Sequence, residues 1–79
     1  MLKLHEAMIA VLIDAPNRTL TFKEVAHHVN ERKLYTRKDQ LPVPSNQIRA
    51  RAFASKQRYS HYFEKVGTDR LKLRNESPN

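Results

Sequence analysis

Cysteine is absent from this 79-residue chain, and glycine occurs once, at Gly67. Without cysteine there is no disulfide and no thiolate zinc site, a composition compatible with a reducing compartment. A single glycine also excludes the glycine-rich loops that cradle phosphates. Long apolar runs are missing as well. MIAVLI at Met8–Ile13 is far too brief to span a bilayer, and Asp14 and Pro16 end it without the flanks of a signal peptide. We read a soluble, intracellular domain, in cytoplasm or nucleoid or in a nucleus, with no membrane partner. At this length one small domain is the ceiling, with limited apolar surface to bury and a need for compact local topology.

Catalytic groupings are lacking too. No carboxylate pair has a convincing partner, and Glu64-Lys65 lacks the spacing of a restriction-nuclease core, for which the chain has no room. No catalytic residue, cofactor or small-molecule substrate is expected. His27 and His28 are adjacent and so point about 100° apart on a helix. With Glu24 and Glu31 they supply one imidazole and one or two carboxylates, a poor zinc site. They read as surface histidines loosely paired with those carboxylates, and no metal is expected.

What the chain does have is positive charge, a net +7 from 15 Lys and Arg against 8 Asp and Glu. Its placement is uneven. Lys3, Arg18 and Lys23 are cancelled by Glu6, Asp14 and Glu24 in residues 1–30, whereas residues 31–74 hold 12 cations against Glu31, Asp39, Glu64 and Asp69. Such asymmetry fits a nucleic-acid binder or a module that docks on an acidic protein.

Leu4, Ala7, Met8, Val11 and Leu12 follow the i, i+3, i+4, i+7, i+8 spacing of one apolar helix stripe. The first helix is therefore placed from about Lys3 to Ile13, ending at the turn-like Asp14–Asn17. Arg18–Thr21 is short and partly β-branched, as a brief extended segment would be. Thr21 and Glu24 make a T-x-x-E capping box, and a second helix follows to about Arg32 with Phe22, Val25, Ala26 and Val29 inward. Leu34–Val43 has no apolar period and reads as a loop with Leu34 and Tyr35 against the core. Its Arg37 and Lys38 are either phosphate contacts or a solvated pair.

Pro44–Arg58, PSNQIRARAFASKQR, reads as a third helix of about four turns. Pro44 sets its direction and the Ser45 hydroxyl is placed to cap it. At about 100° per residue, Ile48, Ala52 and Phe53 share one side. Gln47, Ala50, Arg51, Ala54 and Arg58 lie roughly opposite, while Arg49 and Lys56 fall in the apolar arc and must snorkel or mark its edge. Gln pairs bidentately with adenine and Arg with guanine, so the far face fits a major-groove reader as well as an ordinary solvated surface. Beyond it, Tyr59–Val66, the turn Gly67-Thr68-Asp69 and Arg70–Arg74 describe a β-hairpin. Leu71 and Leu73 alternate there with Arg70, Lys72 and Arg74, giving one core face and one basic face. Tyr62, Phe63 and Val66 cannot all point inward, which calls for a bulge or a late strand start.

Three short helices and a hairpin are the order of a mainly α winged helix-turn-helix, expected over residues 1–74 with a flexible tail at 75–79. Its third helix would enter the major groove and its hairpin would lie on the backbone. The candidate DNA contacts are Ser45, Asn46, Gln47, Arg49, Arg51, Lys56 and Arg58, with Arg70 and Lys72 on the hairpin. Gln47 and Arg51 are four residues apart and carry the expected base readout. Arg49 is expected on a phosphate or on nothing.

The chain also resembles the HARE-HTH family of winged helix-turn-helix domains. The matching runs are LHEAMIAVL, LTFKEVAHHVNERKLY, PVPSNQIRARAF and YFEKVG, which cover about residues 3–74 in order. The resemblance implies a DNA-directed module of the kind attached to restriction-type nucleases and chromatin proteins, with a link to modified DNA. It implies a second possibility too. The related domain of the bacterial RNA polymerase delta subunit looks like a docking module, so this fold need not read bases. The segment Thr68–Arg70 is short for a wing in this family, and it weakens the carry-over of wing contacts.

Overall fold

The apolar stripe at the start of the chain forms helix α1, Leu4–Ile13. Leu4, Ala7, Met8, Val11 and Leu12 are buried along it, and Ile13 is left exposed. The Lys3 amide donates to the Glu6 carboxylate at 2.9 Å, which satisfies one free donor at the helix start. The computed structural model describes residues 2–54 and 62–74.

A turn at Pro16–Arg18, with Asn17 and Arg18 in the left-handed region, delivers the chain to strand β1, Thr19–Thr21. Helix α2, Phe22–Glu31, follows without a break. Its capping box forms as the sequence predicts. The Thr21 hydroxyl accepts from the Glu24 amide at 3.0 Å, and the Glu24 carboxylate accepts from the Thr21 amide at 2.9 Å. Phe22, Val25, Ala26 and Val29 are buried. At its other end the Lys33 amide donates to Asn30 O at 3.2 Å and the Leu34 amide to Val29 O at 3.1 Å. This is the paired C-terminal motif that needs a left-handed residue, and Lys33 supplies it at φ 54°.

Residues 34–44 contain no helix or strand, and Leu34 and Tyr35 pack on the core as expected. Val43 is buried as well, which the absence of an apolar period had concealed. Asn30 holds it there. Its side-chain amide donates to Val43 O at 3.0 Å, and its oxygen accepts from the Val43 amide at 2.8 Å.

Helix α3 departs from expectation in two ways. It is α-helical only over Ser45–Arg49 and then widens into a π-helical turn over Ala50–Ala54. Ser45 is also not its cap. Pro44 holds that position in an extended conformation, and its carbonyl accepts from the Gln47 amide at 3.0 Å. Proline has no side-chain oxygen to offer, so Ser45 lies one residue too far in to cap this end. Ile48 and Ala52 are buried and Phe53 partly so, the inner face that the sequence assigns.

Strands β2, Phe63–Val66, and β3, Arg70–Leu73, form the hairpin around Gly67, whose φ of 65° is the conformation glycine adopts most cheaply. The late start resolves the phase problem in the first strand, because Phe63 is buried while Val66 is only partly covered. β3 lies in the middle of an antiparallel sheet of order β1-β3-β2. Phe63 pairs with Leu73 and Leu20 with Leu71 on the core side, while Thr19, Lys72 and Glu64 line up on the other. The Phe22 amide donates to Asp69 O at 3.0 Å, which ties the start of α2 to the hairpin turn. Three helices and a three-stranded antiparallel sheet thus close one core in a small α/β domain.

Candidate nucleic-acid interface

The core fixes which side of α3 is free. With Ile48 and Ala52 buried, the exposed positions are Asn46, Arg49 and Ala50, while Ser45, Gln47 and Arg51 are half-buried on the flanks. The open face is therefore centred on Asn46 and Ala50 rather than on Gln47 and Arg51.

The two flanks meet different neighbours. On one, Arg49 faces the hairpin turn across a cleft of about 290 Å³. Lys23, Ser45, Asn46, Thr68 and Asp69 line it with Arg49, and Thr21 and Phe22 form its inner edge. Phe53 closes that side of the helix against Phe22, with ring centroids 6.2 Å apart in an edge-to-face arrangement. On the other flank, Arg51 lies close enough to α1 for its charge to act on His5. His5 stacks on Tyr62 at 6.0 Å, and burial pushes its pKa below the usual histidine value. Glu6 opposes that shift, and Lys3 and Arg51 add to it.

Of the expected contacts, Ser45, Asn46 and Arg49 thus gather in one cleft, and Arg51 stands apart from it. Arg70 and Lys72 occupy the outer face of the sheet, where Arg70 borders a second depression with Thr19, Thr21 and Glu24. Lys56 and Arg58 lie outside the described residues, as does the tail at 75–79. Arg37 is held within its own loop, 2.9 Å from the Asp39 carboxylate and 3.4 Å from Pro42 O.

Lys23 joins the cleft without having been singled out in the sequence. Its charge is cancelled by nearby acids along the chain, and no local pattern carries it to α3. His27 sits 3.4 Å from Glu31 on an exposed face of α2, the loose pairing expected of it. Among the described residues, no three metal-ligating side chains come together and no helix is long and apolar enough to cross a membrane.

Comparison with known families, curated proteins and solved structures finds no match to this chain. What the surface can do follows from its chemistry. It offers the guanidinium of Arg49 and the ammonium of Lys23 beside hydroxyl and amide groups and the Asp69 carboxylate in one cleft, with Arg70 and Lys72 on the outer sheet face.

Proposed function

We propose that this chain is a non-catalytic winged helix-turn-helix module, related to the HARE-HTH domains, that binds double-stranded DNA. In this reading α3 enters the major groove with Asn46, Gln47 and Arg51 toward the bases. Arg49 and the hairpin cations Arg70 and Lys72 hold the backbone. Lys56 and Arg58, outside the described residues, join the set from the sequence alone. The observation that carries the reading is the cleft shared by α3 and the hairpin turn, since it sets Arg49 of the helix and Thr68 of the turn on one side of the domain. A groove-inserted helix with a flanking hairpin on the phosphates requires that arrangement. The module acts within the cell, with restriction-modification or transcription control as its setting. Chemistry on the DNA belongs to an attached effector.

The test is an NMR shift titration of the labelled protein with duplex DNA, with and without cytosine modification, repeated over a range of salt. Binding that falls log-linearly with salt, with shifts on α3 and β3, supports the reading. A protein whose shifts do not move with any duplex, but do move with an acidic protein partner, is a docking module instead.

A further inference from the structure

We propose that the cleft between Lys23 and Arg49 seats a backbone phosphate of the bound DNA, so that the interface draws a cation from the electrically neutral residues 1–30. This rests on the DNA-binding reading and names a contact that neither sequence position nor charge asymmetry assigns. Lys23 lies in the first turn of α2 and Arg49 ends the α-helical part of α3, yet both line one cleft. The hydroxyls of Ser45 and Thr68 and the amide of Asn46 stand around them and add neutral donors. Both cations are exposed, so neither has lost its reach to solvent.

The charged groups facing the cleft are Lys23, Arg49 and Asp69, a net of one positive charge. Asp69 is not spent on either cation, because among the described residues no ion pair within 4.0 Å joins it to them. Glu24 is the nearest acid on α2, and its carboxylate is turned to the Thr21 amide. Thr21 borders both this cleft and the depression beside Arg70. A strand that leaves the Lys23–Arg49 seat over Thr21 therefore meets Arg70 next and runs on to the outer sheet face. On the DNA-binding reading, the occupant is one phosphate of an extended backbone, matched to the net single positive charge of the cleft. The cleft is small enough for a phosphate, and Thr21 joins it to the depression that Arg70 and Glu24 share.

The decisive variant is Lys23→Gln, which keeps a good helix former at an exposed position of the first turn and removes only the charge. Binding is read by fluorescence anisotropy on a labelled duplex across a salt series. Lys33→Asn is the control, since it removes one charge at the opposite end of α2 and suits a left-handed residue. Lys23→Gln is expected to weaken binding about fivefold at about 0.15 M salt and to reduce the salt slope by about 0.9, the release of one counterion. Lys33→Asn is expected to leave the slope unchanged. Asp69→Asn, which keeps the backbone carbonyl bonded to Phe22, is expected to tighten binding. Wild-type affinity and slope in Lys23→Gln, while Lys72→Ala still weakens binding, would overturn the phosphate seat and leave the DNA reading standing. A wild-type protein that binds no duplex overturns both.

Discussion

Lys33 occupies a position where most helices of this kind place glycine. At φ 54° it closes the C-terminus of α2, and the bonds to Asn30 and Val29 depend on that conformation. A left-handed backbone costs a side-chain-bearing residue roughly 1–2 kcal/mol, part of which glycine returns through its freer unfolded chain. Lys33→Gly is therefore expected to stabilise the domain by roughly 0.5–1 kcal/mol, seen as a melting temperature raised by a few degrees. An unchanged or lower value would mean that the Lys33 stem contributes packing that offsets the strain. His5 makes the opposite kind of demand, since burial beside Tyr62 lowers its pKa. The unfolded chain then holds the proton more tightly than the folded one. Stability is full above the unfolded value of about 6.5 and is lost as pH falls through it toward the folded value. His5→Phe keeps a ring for Tyr62 and removes the titration, so its melting temperature should fall less than that of the wild type between about pH 7 and pH 5. A constant difference between the two across that window would clear His5 of any part in acid sensitivity.

At the scale of elements, one side chain of α2 clamps the end of the loop before α3. Asn30 satisfies both backbone groups of Val43, and Val43 is buried in the core. Asn30→Ala leaves a buried amide and carbonyl without partners and is expected to cost roughly 1–3 kcal/mol. Urea unfolding should show a lower midpoint at an unchanged slope, and the Val43 amide should lose its protection from hydrogen exchange. Neither this clamp nor the Lys33 cap was legible in the sequence, for different physical reasons. Asn30 and Val43 are 13 residues apart, and nothing local marks such a pair. A cap built on lysine carries no compositional signal, because left-handed backbone is expected of glycine. Local regularities, in contrast, could be read directly. The stripe from Leu4 to Leu12, the Thr21–Glu24 box and the alternation of Leu71 and Leu73 with cations each express one period or one short-range bond. The π turn at Ala50–Ala54 has no local marker in the sequence, and cap propensity favours Ser45 over Pro44, the residue that holds the position. Of the candidate interface, the residue types were legible and their grouping was not. Arg49 belongs with Lys23 and Thr68 because three separate elements converge there.

For the molecule as a whole, the cations of residues 31–74 do not gather into one patch: Arg49 lines the α3 cleft, Arg70 and Lys72 lie on the outer face of the sheet, and Arg37 is held in the loop before α3. Arg51 is the residue on which the competing readings divide. It sits on the α1 flank of α3, where its charge acts on His5, and it is half-buried rather than free-standing. A structural Arg51 serves that junction alone, whereas a reader also extends its guanidinium past Gln47 into the groove. Arg51→Ala separates the two, because one variant has two readouts. Loss of the cation removes one cause of the lowered His5 pKa, so the imidazole should titrate at higher pH by NMR in either case, which confirms that the junction has been altered. Base readout predicts in addition a loss of roughly 1–3 kcal/mol on a preferred duplex, with discrimination relaxed at one position. The measurement is a panel of matched duplexes at one fixed salt, with folding of the variant checked by its melting curve. An equal loss on every duplex makes Arg51 a phosphate anchor and moves base readout to Asn46 and Gln47, nearer the centre of the open face. A shifted His5 with unchanged affinity on all duplexes assigns Arg51 to the fold, and an insensitive Gln47→Ala beside it would turn the α3 face from DNA toward a protein partner.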